Sequence, residues 1–160
     1  MKLITDIKTI KRLSTQKENE NWQFRRFIKT CDLKTEELDA IVHKLYRQVS
    51  KQIDCLLCGN CCRVMNLVLT KNDIKRFTSH LSISSDKFEE KYTDKNEDGE
   101  LVFRDLPCPF LSGNSCTVYS VRPQGCRSYP HLHKKYFVSR LIGVVSNCSV
   151  CPLFSMFMSF

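Results

Sequence analysis

Glycine and proline are scarce in this chain of 160 residues, at five each, and residues 1 to 52 contain neither. No low-complexity linker and no internal repeat can be found. No stretch approaches the ~20 apolar residues a membrane-spanning helix needs. The longest apolar stretch, Cys148 to Phe160, is too short. Met1 to Thr15 alternates lysine with apolar residues and has neither an uninterrupted apolar core nor a small-residue cleavage site, so it does not read as a secretory signal. There is no P-loop, no paired-carboxylate arrangement and no Ser/His/Asp grouping. The net charge of +8 comes from lysines and arginines spread along the chain, not gathered in a block. It is a weak reason to expect a nucleic-acid partner, because thiolates on a metal would offset much of it.

What is abundant is cysteine, ten in all. The chain is long enough to bury a core as one domain without staples, so these cysteines need a specific explanation. The absent secretory signal leads us to expect a cytoplasmic protein with reduced thiols. Dense cysteine there favours metal binding or thiol chemistry over disulfides.

Three textures follow one another. Residues 1–52 read as a helical N-terminal region. Trp22, Phe24, Phe27 and Ile28 are roughly helical in spacing, and Thr35-Glu36-Glu37-Leu38 opens a clearer helix. That helix continues through Ile41, Val42, Leu45 and Val49 at three- and four-residue steps. Residues 53–160 read as a cysteine-cluster module of short elements. A strand is expected over Val64–Leu69, a capped helix from Thr70 through Phe77, and another over Ser85–Tyr92. A polar turn at Asp94–Glu100 leads into extended Leu101–Phe103, and a turn at Gly113–Ser115 precedes a strand over Cys116–Tyr119. The fold class expected is α+β, a small irregular module organised by metal with helices at its N-terminal side.

Cys55-Leu56-Leu57-Cys58-Gly59-Asn60-Cys61-Cys62 carries four cysteines in eight residues. Two residues between cysteines is the spacing at which a tight turn aims both sulfurs at one ion, and Gly59 suits such a turn. If the backbone there is extended, Cys61 and Cys62 point to opposite faces and serve different jobs. Downstream lie Cys108-Pro109, Cys116, Cys126 and the second spaced pair Cys148/Cys151. All nine are candidate ligands, more than one four-ligand site requires, so two centres or one multinuclear cluster remain open. Cys31 lies outside the pattern and is read as a core thiol. His131 and His133 are weaker candidates, with an ordinary loop role as the alternative. Arg122 and Arg127 are read equally as thiolate partners or loop braces.

The ordered set Cys55-x-x-Cys58-Gly59-x-Cys61-Cys62, Cys108-Pro109-Phe110-Leu111, Cys116-x-x-Tyr119-x-x-Arg122-Pro123-x-x-Cys126-Arg127-x-Tyr129-Pro130 and Cys148-x-x-Cys151-Pro152 resembles the CxxCxxCC-type zinc- or iron-chelating family, the YkgJ-like cysteine-cluster proteins. The resemblance spans residues 53 to 152 and implies a small metal-binding domain holding zinc, iron or an iron–sulfur centre such as a 4Fe-4S cluster. A related cysteine region occurs in flagellin lysine methylase, but this chain has no glycine-rich nucleotide loop to support methyl transfer. Relatives continue in a helix after the last Cys-Pro; here the apolar tail from Leu153 to Phe160 is expected to be cut short or docked on the core. The function expected is metal binding, with a metal ion or cluster as partner. The alternatives are an iron–sulfur enzyme, a redox or metal-handling protein, and an accessory module with a protein partner. No catalytic residue is assigned.

Overall fold

A computed structural model of the protein describes the backbone of residue 4 and of residues 6–157, with side chains through Phe154. The described residues form two compact units, one built from residues up to Asp54 together with those from Pro130 onward, the other from Cys55–Tyr129. We call them the helical unit and the cysteine unit. The fold class is α+β, mostly helical with two small antiparallel sheets.

The helical unit opens with α1 (Ile7–Gln16), whose first turn is capped by the Asp6 carboxylate accepting the Thr9 amide at 2.7 Å. Neither this helix nor its cap stood out among the alternating lysines. Helix α2 (Glu18–Thr30) carries Glu18 and Glu20 in its first turn, where the helix dipole favours them. Helix α3 (Thr35–Ser50) buries Leu38, Val42 and Val49, the stripe that its periodicity predicts.

The cysteine unit starts with two single-turn helices, α4 (Cys55–Cys58) and α5 (Asn60–Val64), joined by Gly59. The expected strand over Val64–Leu69 is absent. Val64 closes α5, the Met65 amide bonds back to the Cys61 carbonyl at 2.9 Å, and only an isolated bridge joins Val68 to Val102. The physical reason is that the neighbouring strand is three residues long. Asn66 also spends its side-chain amide on the Phe103 carbonyl at 2.9 Å, leaving little ladder to join.

Helix α6 (Lys71–Leu81) outlasts its expected end at Phe77. Thr70 and Asp73 form a capping box at its start, and Ser82, with φ of 54°, closes it. Helix α7 (Ser85–Tyr92) has the expected bounds and leads into β1 (Thr93–Lys95), paired with β2 (Leu101–Phe103). A second hairpin joins β3 (Leu111–Ser112) to β4 (Ser115–Cys116), pairing Leu111 with Cys116. The strand expected to reach Tyr119 stops at Cys116 because residues 119–121 wind into a 3-10 turn. Helix α8 (Gln124–Ser128) ends the unit. Its core is aromatic: the Phe77 ring stacks on Phe88 at 5.2 Å and on Phe110 at 5.1 Å, with Phe103 edge-on at 6.0 Å. Cys108 and Cys116 pack against this cluster.

The chain then returns to the helical unit. Buried Asp39 on α3 accepts the amides of Tyr136 at 2.7 Å and Phe137 at 2.9 Å. Arg140 gathers carbonyls of the same loop, Lys134 at 2.6 Å and His131 at 3.2 Å among them. Helix α9 (Leu141–Ser146) buries Leu141, Val144 and Val145. Helix α10 (Pro152–Phe157) packs on α3 and α1, burying Leu153 and Phe154, so this part of the tail is docked on the core of its unit.

Candidate metal centre

The turn at the front of the cysteine unit is built around one glycine and one arginine. Cys55 and Cys58 stand three residues apart on α4, so both side chains lie on one face of a single helical turn. Gly59 then takes φ of 60°, and a Cβ there would meet the Arg63 Nη1 and the Asn114 carbonyl oxygen, each at 2.8 Å. An L side chain would be strained twice, by conformation and by space. Arg63 donates to the Cys58 carbonyl at 3.2 Å, the Gly113 carbonyl at 2.7 Å and the Asn114 side-chain oxygen at 2.5 Å. The Ser115 hydroxyl adds a bond to the Leu56 carbonyl at 2.9 Å. The α4–α5 corner is therefore clipped to the β3–β4 turn, and the clip carries Cys116 toward the cysteines of the first run. The sequence marks Ser115 only as a turn residue and does not single out Arg63, for which an arginine directly after a cysteine pair is the available signal.

Cys61 and Cys62 do not point to opposite faces. Their backbone is helical, in α5, where neighbouring side chains are ~100° apart, not the 180° of a strand. Their sulfurs lie 4.0 Å from each other. The hydrogen bond from Cys61 pulls the Cys62 thiol down to about 7 against the opposing effect of burial, with help from the Arg63 guanidinium.

Three further thiols converge on Cys62 from separate elements. Cys108 is tied to it through the backbone, its amide donating to the Cys62 carbonyl at 2.8 Å. Cys116 closes β4, and Cys126 sits in α8. The position of α8 is set by Asp73. Asp73 accepts the Gln124 amide at 2.8 Å, and Gly125 lets the Leu67 side chain approach the α8 backbone closely. Burial pushes the Cys108 thiol up to about 11, and negative charge on Cys62 and Cys116 adds to the effect. Cys126 is pushed up to about 12 by burial and then by Cys62, Cys108 and Cys116. Cys116 is raised by burial and Cys62, with Arg122 opposing. Four sulfurs from four segments thus share one electrostatic neighbourhood: Cys62 ionises readily, and burial together with its charge holds Cys108, Cys116 and Cys126 protonated.

Other candidates go elsewhere. Cys148 and Cys151 belong to the helical unit, where both are buried. The Cys148 thiol donates to the Val144 carbonyl at 3.3 Å and is raised to about 12 by burial alone. Cys31 is half-buried, not in the core, and donates to the Ile28 carbonyl at 3.4 Å. His133 lies 5.8 Å from the Tyr46 ring in the helical unit, and both His131 and His133 are pushed toward the neutral form by burial and nearby Lys134. Arg122 and Arg127 act as loop braces. Arg122 sits 3.6 Å over the Tyr119 ring and donates to the Tyr119 carbonyl at 2.6 Å, while Arg127 reaches the carbonyls of Arg122 and Ser120.

Among the described residues, no three His, Cys, Asp or Glu side chains are grouped closely enough to hold an ion as they stand. The donor chemistry nevertheless fits one. Half-buried thiols kept protonated by desolvation and by a neighbouring thiolate are thiols whose ionisation a soft cation would drive.

A protein-family model described as "CxxCxxCC: Putative zinc- or iron-chelating domain" matches residues 54–143, more than half of the chain. The chain belongs to this family. The matched segment contains every cysteine from Cys55 to Cys126 and stops short of Cys148 and Cys151. Searches among curated proteins and among solved structures returned no match to the chain. Among the described residues no helix is long and apolar enough to cross a membrane.

Proposed function

We propose that this protein binds zinc or iron through thiolates of its cysteine unit. Cys62, Cys108, Cys116 and Cys126 form the inner donor set, and Cys55, Cys58 and Cys61 extend it along the first run. The observation that carries this reading is the family match over the run from Cys55 to Cys126, and it agrees with the Cys108 amide bonded to the Cys62 carbonyl and with the charge of Cys62 bearing on Cys108, Cys116 and Cys126. Zinc and iron–sulfur centres take the same thiolate donors, and a bound cation would offset the desolvation and repulsion that keep Cys108, Cys116 and Cys126 protonated. Seven donors suffice for a multinuclear site as well as for a single ion, so an iron–sulfur centre falls within the proposal. Thiolate ligation needs reduced thiols, which suits a cytoplasmic setting. In this reading Cys148 and Cys151 serve the core of the helical unit.

The test is the iron and zinc content per chain of protein purified without oxygen and without a metal-affinity tag. The expected result is at least one metal per chain in the wild type and a clear loss in Cys62→Ser. Zinc would identify a structural module, and several irons a cluster. Metal far below one per chain, or equal content in Cys62→Ser, would overturn the proposal.

A further inference from the structure

The helical unit contains a cavity of about 420 Å³ that the cysteine chemistry does not involve. Arg25 and Lys29 of α2 line it together with Thr35 and Tyr136, and Val138, Leu141 and Ile142 supply apolar wall. Among the described residues, no Asp or Glu lines it. The Arg25 Nε is buried and has no hydrogen-bond partner among the described residues. Neither Arg25 nor Lys29 is in an ion pair among those residues. Asp39, the acid bonded to this loop, has its two oxygens occupied by the amides of Tyr136 and Phe137. Arg25 and Lys29 are four apart on one helix face, where like charges repel. The Arg25 guanidinium also lies 5.6 Å from the Trp22 ring centroid, a contact that leaves its charge in place. Two cations without a carboxylate partner, one of them partly buried, suit a ligand bearing about two negative charges.

We propose that this cavity binds a phosphate-bearing small molecule, with its phosphate on Arg25 and Lys29 and its organic part against Val138, Leu141 and Ile142. A phosphomonoester carries about −1.5 to −2 charge at neutral pH and matches the guanidinium fork, whereas a carboxylate supplies only one charge. The volume lies within the range of about 300–1,000 Å³ typical of small-molecule sites.

The test is calorimetric titration of the full-length, metal-loaded protein with phenyl phosphate, inorganic phosphate and benzoate. The expected result is saturable binding of one phenyl phosphate per chain, weaker binding of inorganic phosphate and weakest binding of benzoate. Arg25→Gln and Lys29→Gln should each weaken phenyl phosphate roughly tenfold or more with metal content unchanged. Lys44→Gln, which removes an exposed cation from α3, should leave binding as it was. If Arg25→Gln loses its dispersed amide spectrum, Lys29→Gln at an exposed position carries the comparison. Absence of saturation at millimolar phenyl phosphate, unchanged binding in the folded variants, or an equal loss in Lys44→Gln would overturn the proposal.

Discussion

The two units treat cysteine differently, and the difference separates a core thiol from a candidate ligand. In the helical unit, Cys148 lies under packed helices, bonds to a carbonyl one turn back and is raised by burial alone. In the cysteine unit, Cys126 is raised to a similar value, but Cys62, Cys108 and Cys116 contribute to the shift. Similar values thus arise from different causes: one thiol is raised by burial alone, the other also by the charge of neighbouring thiols. A cation would gain little at the first and much at the second. The units also differ in how they are built. Long amphipathic helices close the helical unit, whereas the cysteine unit rests on an aromatic cluster on which Cys108 and Cys116 pack.

The comparison can be broken hardest at Phe77. It is fully buried and stacked on both Phe88 and Phe110. Phe77→Ala should cost about 3–5 kcal/mol, read as a shift in the denaturant midpoint. Amide exchange should accelerate in α6 and α7 before it does in α3, which belongs to the other unit. Simultaneous loss in both would mean that the units unfold as one.

Asp73 comes next. It caps α6, pairs with Arg76 and holds the Gln124 amide that sets α8, so Asp73→Asn should cost about 2–3 kcal/mol at neutral pH. Burial opposes ionisation of this carboxyl, but the bonds from Thr70 and Gln124 outweigh it and leave its folded value below 3.8. A depressed carboxylate stabilises the fold above its unfolded value and loses that contribution as pH falls through the folded one. The gap between wild type and Asp73→Asn should therefore be full near neutrality and shrink as the pH drops below 3.8. A pH-independent gap in thermal midpoints would rule out the ionised carboxylate as its source.

Gly59→Ala should cost about 1–2 kcal/mol from the left-handed conformation alone. It should also lower metal content, because the new Cβ collides with the Arg63 clip that joins the first cysteine run to the β3–β4 turn. Elemental analysis and a melting curve on the same sample check both effects. The smallest effect is expected at Cys148→Ala, about 1 kcal/mol from a small cavity, with metal content unchanged. Metal loss there would erase the distinction between the two kinds of cysteine.

Much of this was legible in the sequence wherever a local rule decides. Helix α3 follows from periodicity, the start of α6 from its capping residues, and α7 was expected at its observed bounds. The first cysteine run was visible from spacing alone. What was not legible depends on distant partners. The expected strand after the run failed for want of a partner strand long enough to extend it. The geometry of Cys61 and Cys62 turned on whether two residues were helical or extended, which the cysteines themselves do not specify. Arg63 and Asp73 position the candidate ligands through contacts made 50 and 51 residues away, and no spacing rule reaches that far. Gly59, by contrast, was readable as a turn residue before its collision with Asn114 was known.

The central claim is that thiolates of the cysteine unit hold the metal. X-ray absorption at the edge of whichever metal co-purifies tests it most directly, comparing wild type, Cys62→Ser and Cys148→Ala. The account predicts a first shell of sulfur at about 2.3 Å in the wild type and in Cys148→Ala, and fewer sulfurs or no metal in Cys62→Ser. A first shell of oxygen or nitrogen, or a sulfur shell that survives Cys62→Ser and disappears in Cys148→Ala, would contradict it.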